Sequence, residues 1–410
     1  MLNFKNRIKA LVSAGFLLLI LSSANGQTLT VGSESGFKKI SDAALKAVPG
    51  DTILIRAGTY RGGEVIHGLR GTADKWIVIQ AEIPGESIYA GGSLALHLSD
   101  IEYIVIDGLI FTMQTENGVN IDDGGSYDTP AHNIIIRNCR WESMEATGNN
   151  DELKLSGVDD FEINNCTFLN GSKGGSLIDM VGCHRGIIRN NHFSLGGSNS
   201  IQAKGGTQDI IIKCNRFENG GERAINIGGS TGMEFFRPTG TACEASYVKV
   251  WSNVFTGGTS AMAFVGAVNC EATNNTIISP TKWVVRILQE NRDPALLSCS
   301  RNIFRNNLIV FPGKNMISVN IGPGTNPESF TFTNNLWFNP DDSEWTGPQL
   351  PVEEPGRILN KDPLFADKEY RLSSSSPAIG KGFPVTEPEN DFFNNRFASV
   401  RVVGAVEYYP

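Results

Sequence analysis

The sequence has 410 residues and a formal net charge of −8 at pH 7. This acidic balance argues against a nucleic-acid partner, because binding to a phosphate backbone depends on Lys and Arg. The seven Cys are an odd number without any CxxC pair, so buried thiols are favoured over a zinc site or a disulfide framework. Cys139 and Cys166 form the one plausible bridge.

Residues 1–26 have the pattern of a secretory signal peptide. Lys5, Arg7 and Lys9 precede an apolar run over residues 10–21, and small residues end the segment. The apolar run is too short for a membrane span, which needs about 20 apolar residues. We therefore predict secretion to the periplasm or medium, cleavage near Gly26, and a monomeric mature protein in which residues 27–410 form a single domain.

Residues 27–60 are predicted to form the N-terminal cap and the first strands. Phe37, Ile40, Ala44 and Val48 recur at helical spacing just before the apolar segment Thr52–Ile55. The spacing predicts an amphipathic helix over residues 37–48 that covers the open end of the core.

The middle of the chain repeats one short motif eight times. The motif is a pair of residues, mostly Asn or Cys, then a variable residue and a large apolar one. Its copies begin at Asn138, Asn165, Asn190, Cys214, Ser252, Asn274, Asn306 and Asn334. A β-rich run precedes each copy, and a repeat of roughly two dozen residues is typical of a parallel β-helix of about ten or more rungs. We expect the stacked Asn side chains to hydrogen-bond one another.

A second strand is predicted upstream of each motif. Its apolar residues alternate with residues that should face solvent. The outward residues, one per rung, are Asn120, Lys154, Asp179, Gln202, Asn226, Ala263, Arg286 and Asn320. Beyond the repeats, residues 340–410 break the pattern and are predicted to form an irregular C-terminal cap.

The chain resembles the pectin-lyase-like right-handed parallel β-helix superfamily, in particular secreted bacterial members that degrade polysaccharides. The resemblance rests on residues 50–53 and 57–60, on the Asn-Asn-x-Phe rungs and on the C-terminal segment. The cations Lys154, Lys204, Arg223 and Arg286 on an otherwise acidic chain predict an acidic polysaccharide as partner. The resemblance itself implies an all-β solenoid. It leaves lyases, hydrolases and non-catalytic proteins open.

Long inserts after the second strand, at residues 228–247 and 288–301, should wall a groove along the outward row. Cations and amides concentrate there, as expected for β-elimination at a uronic acid, which needs a neutralised carboxylate, a base and a proton donor. The predicted catalytic residues are Lys154, Lys204 and Arg223, with a lysine as base if neighbouring cations lower its pKa. The predicted substrate-binding residues are Asp179, Gln202, Asn226, Arg286, Glu290 and Arg237. Asp151, Glu152 and Asp179 are the predicted ligands of a calcium ion.

The stretch 151–156, followed by residues 174–177, resembles the site of chondroitinase-B-type and alginate lyases. In that family acidic calcium ligands precede a catalytic Lys, and the next rung offers an Arg. Glu152 fits the acidic position, whereas Gly157 stands near the Lys position and Asp179 and Met180 near the Arg position.

Two other functions remain open from the sequence. Asp122 and Asp123 resemble the paired carboxylates of polygalacturonase-type hydrolases, although a turn is the commoner role for such a pair. A non-catalytic glycan-binding or envelope protein would use the same groove.

Overall fold

The computed structural model describes residues 26–410 except 33, 35, 127 and 315. The predicted signal peptide, apart from Gly26, lies outside the described residues. The described part is almost entirely β, and three long sheets of parallel strands run along it. Because successive rungs each add a strand to each sheet, the chain forms the predicted parallel β-helix. Among the described residues, no helix is long and apolar enough to cross a membrane.

The sheet that carries the predicted outward row is called the groove sheet here. Its ten strands are Glu64–His67, Leu96–Ser99, Val119–Asp122, Leu153–Ser156, Ser176–Val181, Asn199–Lys204, Arg223–Gly228, Ser260–Val265, Trp283–Leu288 and Val319–Ile321.

The second sheet has fifteen strands. They are Thr28–Val31, Thr52–Ile55, Ile77–Ala81, Glu102–Asp107, Ala131–Arg137, Val158–Asn164, His184–Arg189, Thr207–Gln208, Ile211–Lys213, Ala245–Ser246, Lys249–Trp251, Ala267–Val268, Glu271–Thr273, Ile303–Arg305 and Thr331–Thr333.

The third sheet has twelve strands and contains the apolar residue of each repeat. They are Gly58–Arg61, Ser87–Ala90, Leu109–Thr112, Arg140–Glu142, Thr167–Leu169, His192–Ser194, Arg216–Glu218, Val254–Thr256, Thr276–Ile278, Leu308–Val310, Leu336–Phe338 and Ile358–Leu359.

The repeated Asn pair has two separate structural roles. The first residue of each pair has a positive φ, such as 55° at Asn138 and 54° at Asn274, a conformation that Asn tolerates better than most residues. The second residue builds a buried ladder. At its middle, Asn253 Nδ2 donates to Asn275 Oδ1 at 3.1 Å, and Asn253 Oδ1 accepts from Asn215 Nδ2 at 3.0 Å. The ladder runs from Asn191 to Asn335, as predicted, and ends on the carboxylate of Glu354.

The apolar residue of the motif forms a second internal stack. Rings of successive rungs lie nearly parallel from Trp141 through Phe168, Phe193 and Phe217 to Phe255, with centroids 4.6–5.0 Å apart. This spacing equals the separation of neighbouring strands, which is about 4.8 Å. The aromatic rings therefore fix the register of the rungs from inside the core.

The N-terminal helix is shorter than the predicted 37–48. It spans Ile40–Ala44, and Ile40 and Ala43 are its buried residues. Phe37 instead forms a bridge with Val31, and Val48 is 53% exposed. Pro49 disfavours helical backbone at the residue before it, which explains why Val48 does not extend the helix.

Residues 381–407 are called the C-terminal strap here. The chain turns back after its last strand, and the strap lies along the side of the solenoid against the positive-φ residues. The Asp391 carbonyl accepts from Cys214 Sγ at 3.4 Å, and the Val402 carbonyl accepts from Asn274 Nδ2 at 3.0 Å. The C-terminal segment therefore ties together rungs that are not neighbours, beyond the predicted capping of the end.

Candidate functional site

The outward row of the groove sheet is arranged as the sequence predicts. Register pairs Asn120 with Lys154, Lys154 with Asp179, and Asp179 with Gln202. His97, on the preceding strand, pairs with Asn120 and adds a member that the sequence analysis missed. The row is therefore a continuous line of ionisable and amide groups from His97 to Asn226, and the buried Ala263 interrupts it on the next rung.

A cluster of two lysines and two aspartates lies at the centre of this row. Lys154 Nζ donates to Asp179 Oδ2 at 2.8 Å and to Asp151 Oδ2 at 3.4 Å. Lys204 Nζ lies 3.2 Å from the other Asp179 oxygen and donates to Gln202 Oε1 at 3.4 Å. The structure thus brings together five of the predicted site residues.

This pairing changes the role open to Lys154. Burial alone would lower its pKa, but the carboxylates of Asp179 and Asp151 outweigh burial and raise the pKa above its usual value. The expectation of a lysine with a lowered pKa is therefore wrong for Lys154, which is a cation here and not a base. Burial, and then the charge of Asp179, raises the pKa of Asp151 to about 6.

Two arginines follow further along the groove. Arg223 donates to Asn226 Oδ1 at 3.0 Å and to Glu290 Oε1 at 2.5 Å. The guanidinium of Arg286 lies 4.2 Å from the centroid of the Trp283 ring. Both arginines and Glu290 lie on the groove side, where the sequence analysis placed them.

Glu152 does not lie in the groove. Its side chain is fully buried, and neither carboxylate oxygen has a hydrogen-bond partner among the described residues. The alternation of faces breaks at this point, because Asp151 reaches Lys154 and Arg223 reaches Asn226 across three residues instead of two. The residues that directly follow Asp151 and Arg223, which are Glu152 and Ala224, consequently turn into the core.

Arg237 is also outside the groove. It is 7% exposed, and its guanidinium binds both carboxylate oxygens of Asp159, at 2.6 and 3.1 Å. It also contacts His184 Nδ1 at 3.2 Å. The guanidinium therefore anchors the long loop to the solenoid and is not available to bind substrate.

The three predicted calcium ligands do not fit a calcium site. Glu152 points into the core, and the Lys154 ammonium contacts both of the other carboxylates, Asp151 and Asp179. Among the described residues, no group of three or more His, Cys, Asp or Glu is arranged to hold a metal ion.

The two positions at which the family resemblance expects a Lys and an Arg cannot supply those groups. Gly157 has a φ of +66°, and an added Cβ would lie 2.3 Å from Asp123 Oδ2. Met180 is fully buried in the core. Any chemistry in this groove must therefore use other side chains.

A cavity of about 480 Å³ lies at the N-terminal side of the Lys–Asp cluster. Its lining includes His97, Asn120, Asp122, Asp123 and Lys154. Asp122 and Asp123 each accept a hydrogen bond from a glycine N–H two residues later, at 3.0 and 2.9 Å, so the predicted turn is present. Sequence reasoning missed His97 because the repeated motif begins only at residue 138.

Solved structures share the fold of this chain over most of its length. The crystal structure of pectate lyase Pel9A aligns with 95% of this chain and 98% of its own, at 13% identity and a TM-score of 0.56. The complex structure of XylC with xylose aligns over 93% and 98%, at 9% identity and a TM-score of 0.54. At such identities these likenesses establish the fold alone. A search of curated proteins found no match.

The family model of chondroitinase B matches residues 35–271. This segment contains the first eight strands of the groove sheet, the cavity and the Lys–Asp cluster. Since the match covers more than half of the chain, the protein belongs to the chondroitinase B family and is a polysaccharide lyase of the right-handed parallel β-helix type.

Proposed function

We propose that the protein is secreted and cleaves a uronic-acid-containing polysaccharide by β-elimination along the groove sheet. The observation that carries the proposal is the concentration of Lys154, Lys204, Arg223 and Arg286 along one face of a chain with an overall negative charge. Local cations on a net-negative protein favour binding of anions at defined positions over diffuse binding.

The chemistry of elimination gives these cations a role. Removal of the proton at C5 of a uronic acid places negative charge on the adjacent carboxylate group. Cations fixed beforehand at that position stabilise this charge without reorganising during the reaction. In our proposal Lys154, Lys204 and Arg223 neutralise carboxylates of the bound chain.

The remaining groove residues bind the substrate in this proposal. Gln202 and Asn226 offer amides to sugar hydroxyls, and Arg286 adds a further cation to the groove. Asp179 and Glu290 hold Lys154, Lys204 and Arg223 in place before substrate arrives. Their ion pairs keep the cations oriented.

A spectrophotometric screen tests the proposal. Elimination creates a conjugated double bond that absorbs in the ultraviolet, whereas hydrolysis creates only a reducing end. The protein should raise the absorbance on at least one polymer among alginate, pectate, glycosaminoglycans and ulvan, and on no neutral glycan. New reducing ends without absorbance would indicate a hydrolase, and tight binding without either product would indicate a non-catalytic protein.

Substitution of the groove cations tests the proposed site. Lys204→Ala and Arg223→Ala should each lower kcat/KM by about 100-fold, as expected for loss of a charge-stabilising group. Lys213→Ala is the matched control, because Lys213 lies on the fifteen-stranded sheet. Near-normal turnover in both groove variants would place the site elsewhere.

A further inference from the structure

Lys154 and Lys204, the two lysines predicted as possible bases, both pair with the carboxylate of Asp179. Gly157 stands near the Lys position of the family resemblance, and Asp179 and Met180 stand near its Arg position, so the groove needs another base. We propose that His97 removes the C5 proton and that Asp122 positions its ring. The proposal rests on the function proposed above and deepens it. It places cleavage in the 480 Å³ cavity and assigns Lys204 and Arg223 to neighbouring residues of the bound polymer.

The environment of His97 suits a base. Its side chain is 30% exposed, so a substrate can reach it, and it lines the cavity together with Lys154. The next two members of its row are Asn120 and Lys154, which places the lysine two strand spacings away, about 10 Å. A base and a cation therefore border the same space.

Asp122 determines which nitrogen of His97 carries the proton. His97 Nε2 lies 2.5 Å from Asp122 Oδ2, and the other Asp122 oxygen accepts the Gly124 N–H at 3.0 Å. Burial opposes ionisation of Asp122, but hydrogen bonds from His97 and Ser99 outweigh burial and lower its pKa. An ionised Asp122 accepts the Nε2 proton, so the neutral ring keeps its lone pair on Nδ1.

The Nδ1 atom is free to accept a proton from substrate. No described residue forms a hydrogen bond with Nδ1 of His97. A protein acceptor at Nε2 and an open Nδ1 are the arrangement that an oriented general base requires. Asp122 touches the ring and not the substrate, so it is a positioning residue.

The step balances without a further reactant. His97 Nδ1 takes the C5 proton, and the electron pair of the C5–H bond forms the C4–C5 double bond. The bond between C4 and its glycosidic oxygen breaks, and the leaving oxygen takes its electron pair and a proton from water. His97 then returns its proton to solvent. Lys154 stabilises the negative charge on the carboxylate during the transfer.

The proposal is tested with variants of the full chain on the polymer that gives the largest absorbance change. His97→Gln should lower kcat by about 100-fold or more with little change in KM, as expected for loss of a general base. His192→Gln is the matched control. His192 forms a similar pair with Glu218, at 3.2 Å, on the twelve-stranded sheet, and its variant should keep wild-type kcat.

Two further variants separate proton transfer from a structural role. Asp122→Asn should lower kcat with KM unchanged, because Asn no longer enforces the Nδ1 lone pair. Added imidazole should restore turnover to His97→Ala. A His97→Ala variant that keeps the wild-type thermal midpoint but stays inactive with imidazole would overturn the proposal.

The outcomes distinguish this inference from the proposed function. If the wild type produces ultraviolet absorbance and His97→Gln keeps kcat within a few-fold, the inference is wrong and the proposed function stands. If the wild type produces no absorbance on any uronic-acid polymer, the proposed function fails, and the role of His97 fails with it.

Discussion

At the scale of single residues, the buried carboxyl of Glu152 is unusual because it has no hydrogen-bond partner in the part of the chain that the structure describes. Burial, with a smaller contribution from Glu142, raises its pKa well above the usual value. In the unfolded chain the same group ionises near its ordinary pKa of about 4.3. The folded state therefore retains a proton that the unfolded state loses as pH rises.

The Glu152→Gln variant should consequently be more stable than the wild type at pH 8. The folded wild type binds the extra proton, so its stability falls as pH rises above the unfolded pKa, by up to about 1.4 kcal/mol per pH unit. The amide of Gln does not titrate, so the gap between the two proteins should shrink from pH 8 to pH 5. Urea unfolding at both pH values measures this difference.

The exposed Glu145 provides the control for that measurement. Glu145→Gln should change stability equally at pH 5 and pH 8. A Glu152→Gln variant that is equally or less stable than the wild type at pH 8 would contradict a protonated Glu152.

The residue scale also shows where sequence reasoning succeeds. Asn120, Lys154 and Asp179 were placed correctly because a strand alternates its faces regularly. Glu152 was misplaced because the alternation breaks where the turn enters the strand, and the sequence does not mark that break. Arg237 lies outside the groove because its position depends on the path of the long loop at residues 228–247. The alternation of apolar and polar residues does not determine that path.

At the scale of elements, the Asn ladder makes neighbouring rungs depend on one another. Asn253 bonds Asn215 on one side and Asn275 on the other, and it also donates to the Ile212 carbonyl at 2.9 Å. Asn253→Ala leaves several buried groups unpaired, at about 1–3 kcal/mol each. We expect a loss of at least about 3 kcal/mol by denaturant unfolding.

Asn149→Ala is the matched control for the ladder variant. Asn149 lies exposed in a loop, so its variant should unfold at the wild-type denaturant concentration. Equal stability of the two variants would show that the ladder contributes little.

The elements themselves were largely predictable. The Asn pairs and the apolar residue after them identify both the ladder and the turn, because each role restricts the residue type strongly. The predicted helix near the N-terminus is too long. Helical spacing alone does not reveal that Pro49 disfavours helical backbone at Val48, or that Phe37 forms a bridge with Val31.

At the scale of the whole molecule, the C-terminal strap depends on Asp391. This fully buried carboxylate accepts the N–H groups of Phe393, Asn395 and Glu407. Asp391→Ala should release the strap, lower the thermal midpoint by several degrees and make residues 381–410 the first site of limited proteolysis.

Asp362→Ala is the comparison for the strap variant. Asp362 also accepts a backbone N–H, from Leu364 at 2.8 Å, but it is exposed outside the strap. Its variant should keep the wild-type midpoint and cleavage pattern. Identical behaviour of both aspartate variants would show that the strap does not hold the rungs together.

The strap also has a consequence for the order of folding. Neighbouring rungs join residues 22 to 38 positions apart along the ladder, whereas the strap joins residues 47 to 177 positions apart. Contacts of high sequence separation form slowly because a long loop must close first. The rungs can therefore stack while the chain is still being synthesised. The strap can dock only after residues 381–407 have been synthesised. A late docking phase should follow the main refolding phase.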